Sequence, residues 1–310
     1  MNYCSRYILI VIASSLWLKS NAQVIDTIVA TTPITSKSSG IDPLRVGLVA
    51  GTSSGALVGV YIYMQNVWWS NQHNKFKIDH DQDYKYAKNM DKMGHFIGGS
   101  VTAELFGEAF QWAGMKKSSS YLYGGLIGVT IQGIIEIKDG FAPTYGYSFG
   151  DLAAGSAGSF LPLLQYHVPA ANAFRIKLSY YKHDNYYYKV YPYANVIDDY
   201  SNQTYWLSCS VNDLLPKGSK AEKIWPDFLT IAGGWGVDET LNLYNTGVNS
   251  YVNKGRGHYE YYLSVDIDWR KIIKQNTLFK RSVTYALNYI KIPLPTVRLG
   301  PSVQYHWAFW

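Results

Sequence analysis

Three side chains carry the chemistry this sequence can offer: His95, Glu136 and Asp151, each in a different glycine-rich stretch that reads as a helix. An imidazole with two carboxylates makes an oriented general base, or a shell for a cation harder than structural zinc sites prefer. In "MDKMGHFIGG", Asp91 precedes His95 by four residues, so the two share a helix face, with Lys92 beside them. In "IQGIIEIKDG", Gln132 and Glu136 share a face and Asp139 follows. In "YSFGDLAAG", Ser148 and Asp151 have the S-x-x-D spacing of a capping box.

Each residue also has a plain structural role. Asp91 is expected to cap the helix that begins there, and Lys92 to sit in solvent. His95 alone reads as a hydrogen-bonded core histidine. Glu104 and Glu108 fall on the opposite face, in solvent or at a second interface. Together the trio is harder to dismiss, because buried carboxylates must find a partner: each other, His95, Lys138 or a cation.

The elements that would position them are helices with small-residue stripes. Glycines 47, 51, 55 and 59 recur every fourth residue. Gly99, Ala103 and Gly107 follow, then Gly124 and Gly128, then Gly150, Ala154 and Gly158. Each glycine costs a helix about 1 kcal/mol relative to alanine, so close backbone approach is expected to offset it. No charge separates Arg45 from Lys75, a length that spans a bilayer, yet polar residues interrupt it. A membrane bundle and a soluble bundle both stay open.

From Asn172 onward the period changes to two. "FRIKLSYYKHDNYYYKVYPY", "QTYWLSCSV", "FLTIAGGWGVD", "HYEYYLSVDIDW" and "SVQYHWAFW" alternate aromatic and β-branched residues with others, as antiparallel strands do. "RKIIKQNTLFKRSVTYALNYI" is a helical insert before "KIPLPT". Five or six strands fall short of an outer-membrane barrel. The expected fold is α+β: a bundle of about four helices over 43–170, then an aromatic-rich antiparallel sheet or partial barrel over 171–310.

Other motifs fail on context. "GTSSG" (51–55) resembles the nucleophile elbow of patatin-like phospholipases, but no glycine-rich oxyanion loop precedes it. The glycine stripe also runs straight through the required strand-turn-helix bend. No P-loop, H-E-x-x-H or paired C-x-x-C occurs in a suitable context. No cofactor is expected; the one ligand left open is a divalent cation at His95, Glu136 and Asp151.

Residues 1–22 read as a secretory signal: Arg6, an apolar run from Tyr7 to Leu18, and "SNA" before Gln23. Residues 23–42 read as a flexible linker. Cys4 precedes the apolar run without a lipobox, and its loss leaves Cys209 alone, so no internal disulfide is expected. The formal charge of +6 drops to +4 once Arg6 and Lys19 leave with the signal, and basic residues do not cluster, which excludes a nucleic-acid partner. Charged residues make up only 16% against 28 Tyr and 10 Trp, a balance that suits membrane or envelope partners.

"MDKMGHF" followed by "IQGIIEIKDGFAPTYGYSFGDLAAGSAG" resembles the YfiM-like family of predicted periplasmic lipoproteins, a domain of unknown function. "DDYSNQTYWLSCSVNDLL" and "YIKIPLPTV" resemble the C-terminal part of Bacteroidota-type members. The resemblance implies a periplasmic or outer-membrane-associated location, and its motif falls on Asp91, Lys92, His95, Glu136, Asp139, Gly140, Ser148 and Asp151. The Asp-Lys-x-x-His layout is similar, more loosely, to VanZ-like membrane proteins. Two functions follow as expectations. The first is a non-catalytic envelope protein whose polar trio locks helices together. The second is an enzyme or binding protein for an envelope lipid or glycan.

Overall fold

The structure, a computed structural model, describes residues 40–67, 69, 73–80, 83–143, 145–181, 197, 199–241, 257–300 and 302–309. The signal-peptide and linker assignments lie outside these residues, apart from the linker's last three. Residues 41–310 form one compact unit.

Four long helices come first: α1 (Pro43–Val67), α2 (Met90–Trp112), α3 (Lys117–Phe141) and α4 (Phe149–His167). Pro43 opens α1 behind Asp42, whose Oδ1 accepts from the backbone N–H groups of Leu44 and Arg45. The α1 helix runs unbroken through "GTSSG", so the elbow reading fails. Its glycines 47, 51, 55 and 59 have nothing within 4 Å of a Cβ among the described residues. Close approach was the expectation for this stripe, but among the described residues no helix backbone lies against it. By length and composition, α1 and α3 could each cross a membrane; much of α3 is covered by its neighbours.

The other stripes do meet. A Cβ on Gly99 would strike the carbonyl of Gly155 and Ser159 Oγ, one on Gly124 the carbonyl of Ala103, and one on Gly158 the carbonyl of Phe96. The α2 helix is therefore gripped by α3 and α4 at backbone distance, where dispersion and packing offset the weak helix propensity of glycine. A short turn reverses the chain between α2 and α3. Gly114 (φ 93°) takes the left-handed position, Gly114 N–H donates to Gln111, and Met115 N–H donates to Phe110. That pair of bonds is a Schellman ending.

The sheet is a six-stranded antiparallel meander in sequence order, open rather than closed: β1 (Phe174–Tyr180), β2 (Gln203–Cys209), β3 (Leu229–Val237), β4 (Tyr259–Ile267), β5 (Leu294–Leu299) and β6 (Gln304–Phe309). Two short helices, α5 (Val211–Leu214) and α6 (Lys220–Ile224), join β2 to β3, and α7 (Leu278–Asn288) is the helical insert before β5. The rest of the segment read as a first strand, from 182 to 193, lies outside the described residues. Helices and sheet share a core in which Met90 and Ala87 pack on Tyr205, Val237 and Leu241.

Candidate functional site

The chain enters α2 through an unusual bend. Ala87, Lys88 and Asn89 all have positive φ (44°, 57° and 64°), a conformation that non-glycine residues adopt only when packing enforces it. Buried Ala87 supplies that packing, and Tyr259 covers Lys88 with its ring while its hydroxyl donates to the Lys88 carbonyl. The bend sets the preceding loop, with Asp83, over the start of α2. Asp91 is not the cap: α2 begins one residue earlier, with Asn89 in the cap position and no side-chain cap. Asp91 is instead buried in the first turn, and among the described residues its Oδ1 has no hydrogen-bond partner.

Lys92 also departs from its expected place in solvent. Its ammonium lies 2.8 Å from Asp83 Oδ1, 3.2 Å from Asp151 Oδ1 and 3.7 Å from Asp91 Oδ2, with the side chain only 13% exposed. It also donates to the Asp83 carbonyl. Helix periodicity cannot foresee this, because two of the three carboxylates come from outside α2. Burial disfavours the ammonium, but Asp91, Asp151 and Asp83 outweigh that and push its pKa up. For Asp83, burial is likewise outweighed. Hydrogen bonds from Lys92, Ser148 Oγ (2.6 Å) and Gly150 N (3.1 Å) hold its carboxyl below the ordinary value.

Ser148 caps α4 as its spacing suggests, with Oγ accepting from Asp151 N at 2.9 Å, and its own N–H donates to Glu136 Oε2 at 2.9 Å. This capping turn carries α4's Asp151 toward α3's Glu136. His95, from α2, closes the group. Its Nδ1 lies 2.8 Å from Gln132 Oε1 and 3.6 Å from Glu136 Oε1. A carbonyl oxygen only accepts, so Nδ1 is the donor in this contact. One ligand atom each from His95, Glu136 and Asp151 lies within 4.8 Å of the others, a span a single cation can bridge.

The electrostatics are unbalanced. Asp83, Asp91 and Asp151 gather around one ammonium, and Glu136 faces His95. Glu136 is buried and, among the described residues, its Oε1 has no donor. Burial, then the charge of Asp151, pushes the Glu136 carboxyl up to about 9. Burial and Asp151 together also raise Asp91 well above the ordinary range.

The structure therefore brings His95, Gln132, Glu136, Ser148, Asp151, Asp91 and Lys92 into one neighbourhood. Asp139 stands apart, accepting from Trp69 Nε1 at 2.6 Å. Gly140 belongs to that same outlying end, where a Cβ would strike the Phe76 ring. Asp83 is the residue that sequence reasoning missed. It lies in a non-periodic turn, and its only signal is an acid eight positions before Asp91.

Residues 82–167 match the model of a family described as predicted periplasmic lipoproteins (DUF2279), a description that implies export to the periplasm. The match begins one residue before Asp83 and ends with α4, so it contains the whole polar group and none of the sheet. The C-terminal likeness to Bacteroidota-type members falls outside it. Comparisons with curated proteins and with solved structures found no match.

Proposed function

We propose that this chain is an exported envelope protein whose helices are fastened by a divalent cation held between His95, Glu136 and Asp151. The observation that carries the reading is the sealed Glu136 Oε1, which has no donor among the described residues and lies 3.6 Å from His95 Nδ1, on a carboxylate within ligand reach of His95 and Asp151. Buried there, the Glu136 carboxyl either holds a proton or faces a cation, and Lys92 is already shared among three other carboxylates. One imidazole with carboxylates and a nearby amide carbonyl suits Mn²⁺ or Mg²⁺ better than a thiolate-preferring ion. The few charges and many Tyr and Trp residues support a place at an envelope membrane.

The test is elemental analysis of the purified mature protein, followed by thermal melts after chelation and re-addition of Mn²⁺, Mg²⁺ or Zn²⁺ one at a time. The expected result is about one equivalent of metal and a melting temperature that rises with free cation, as linkage requires. A chelated protein whose melt ignores all three ions would sink the reading.

One observation favours a second reading, in which the cation and His95 activate water against an envelope lipid or glycan: the His95 side chain is 21% exposed, so solvent reaches the site. Hydrolysis of a lipid or glycan panel by the metal-loaded protein, lost in His95→Gln, separates it from the purely structural role.

A further inference from the structure

The sheet is sorted the wrong way round for a water-soluble protein. Strand register places Lys177, Trp206, Gly234, Tyr262 and Arg298 in one row on one face. That face is the covered one. It holds Lys177 (1% exposed) 2.7 Å from Asp266 (0% exposed), a Ser208–Thr230 hydroxyl pair at 2.7 Å and a Thr296–Ser264 pair at 2.9 Å. Every Arg, Lys, Asp, Glu and His of the six strands lies on it: Arg175, Lys177, Glu260, Asp266, Arg298 and His306.

The opposite face carries none of those residue types. Part of it is covered by α2, where Met93 and Ile97 pack near Leu178, Tyr205 and Trp235. The remainder is open, with Leu207, Ile231, Leu263 (50% exposed), Leu299, Tyr305 and Trp307 (80% exposed) pointing outward. Polar-in, apolar-out alternation is the pattern of strands that face lipid. A protein partner would call for roughly one hydrogen bond per 100–200 Å² of contact and a polar rim. Among the described strand residues this face offers tyrosine hydroxyls, the Trp235 and Trp307 indole N–H groups, the Cys209 thiol and Gln203, whose amide donates to the Ile197 carbonyl at 3.1 Å. Amphipathic aromatics of that kind sit where hydrocarbon meets headgroups.

We infer that the open outer face of β2–β6 lies against the hydrocarbon of a lipid membrane. Among the described residues β6 is paired on one side only, and a bare strand edge does not persist in hydrocarbon. The contact is therefore interfacial, confined to one leaflet, with the β6 edge and Trp307 at headgroup level. The inference rests on the sheet alone and stands or falls separately from the cation.

The test uses the full mature chain, purified in mild detergent and mixed with phosphatidylcholine/phosphatidylglycerol vesicles with and without brominated acyl chains. The protein is expected to float with the vesicles in high salt, and brominated lipid to quench a fluorescence component that Trp307→Phe removes. Leu207→Asp with Leu263→Asp is expected to cut vesicle partitioning about tenfold while circular dichroism and melting temperature hold. Trp307→Ser, on the most exposed position, is the milder second variant if the pair misfolds. Failure to float overturns the inference. So does partitioning that neither variant alters, because α1 or another surface would then be the anchor. A lipid-free dimer that these substitutions dissociate, with no change in partitioning, overturns it in favour of a self-association face.

Discussion

Two polar clusters lie on opposite faces of α2, and they solve the problem of buried carboxylates differently. On one face, Asp83, Asp91, Glu136 and Asp151 share Lys92 and His95, and two carboxylate oxygens are left without donors. On the other, Glu108 accepts from Tyr121 at 3.1 Å and Gln111 at 3.1 Å and faces Arg281 at 3.4 Å. Above it, Tyr289 hydrogen-bonds Ser100 at 2.8 Å, near Glu104. The second cluster is supplied with hydroxyls and a guanidinium, as a helix-helix lock requires, although Glu108 Oε2 has no hydrogen bond among the described residues and meets Arg281 as an ion pair; the first cluster has two oxygens without hydrogen bonds and no guanidinium. The first cluster sets four carboxylates against one ammonium and one imidazole, and the cation proposed above would make up that shortfall.

The largest expected effect comes from removing the ammonium that the first cluster's aspartates share. Lys92→Met leaves Asp83, Asp91 and Asp151 facing one another in a buried setting, a loss of about 3–5 kcal/mol at pH 7. Asp83's pKa is depressed in the folded protein, so the stabilisation it gains exists above the ordinary carboxylate range and is lost as pH falls through it. Denaturant melts at pH 7 and at about pH 2, beneath the ordinary carboxylate range, should therefore show the deficit shrinking in acid. A pH-independent loss would mean that Lys92 acts through packing alone.

Next in size is the backbone contact that brings the first cluster together. Gly158→Ala drives a methyl into the Phe96 carbonyl and should cost about 2–3 kcal/mol. It should also weaken cation binding, since α2 and α4 must part. An Ala variant that folds and binds normally would show that the glycine seam is dispensable.

A third variant separates the clusters by ligand rather than by stability. Glu136→Gln should lower cation affinity more than 100-fold, beyond the 10–100-fold typical of residues that only orient ligands. The metal-free protein should be no less stable, because a carboxyl with a partnerless buried oxygen is replaced by a neutral amide. Glu108→Gln, on the other face, should do the reverse: lose stability and leave binding intact. Isothermal titration with Mn²⁺ and denaturant melts on both variants check the crossing.

Much of this was legible in the sequence, for identifiable reasons. Helical period and small-residue spacing placed His95, Glu136 and Asp151 on converging seams, because glycine allows few other packings. Period-two alternation located the strands. Lys92 and Asp83 were not legible, since their pairing depends on a left-handed bend at Ala87–Asn89 that contains no glycine to announce it. The unpartnered stripe of α1 was misread because four-residue glycine spacing states that a close contact is permitted, not that one is made. The orientation of the sheet was also hidden: alternation tells which residues share a face, while burial alone tells which face is inside.

The smallest effect concerns Glu104, at the edge of the second cluster. Burial raises its carboxyl to about 7, with Arg175 and Tyr289 opposing and Glu108 adding to the rise. A carboxyl raised from 4.5 to about 7 on folding binds its proton more tightly when folded. Its contribution to stability is therefore complete below pH 4.5 and disappears as pH climbs to 7. Glu104 remains partly solvent-accessible, so screening leaves on the order of 1–2 kcal/mol of this. Glu104→Gln should match the parent near pH 4.5 and exceed it by that amount at pH 8, in melts taken with cation absent. The same pH series should leave the cation-dependent rise in melting temperature of Glu104→Gln equal to the parent's. If the substitution shifts that rise, the two faces of α2 are coupled, and treating one as a site and the other as a lock is wrong.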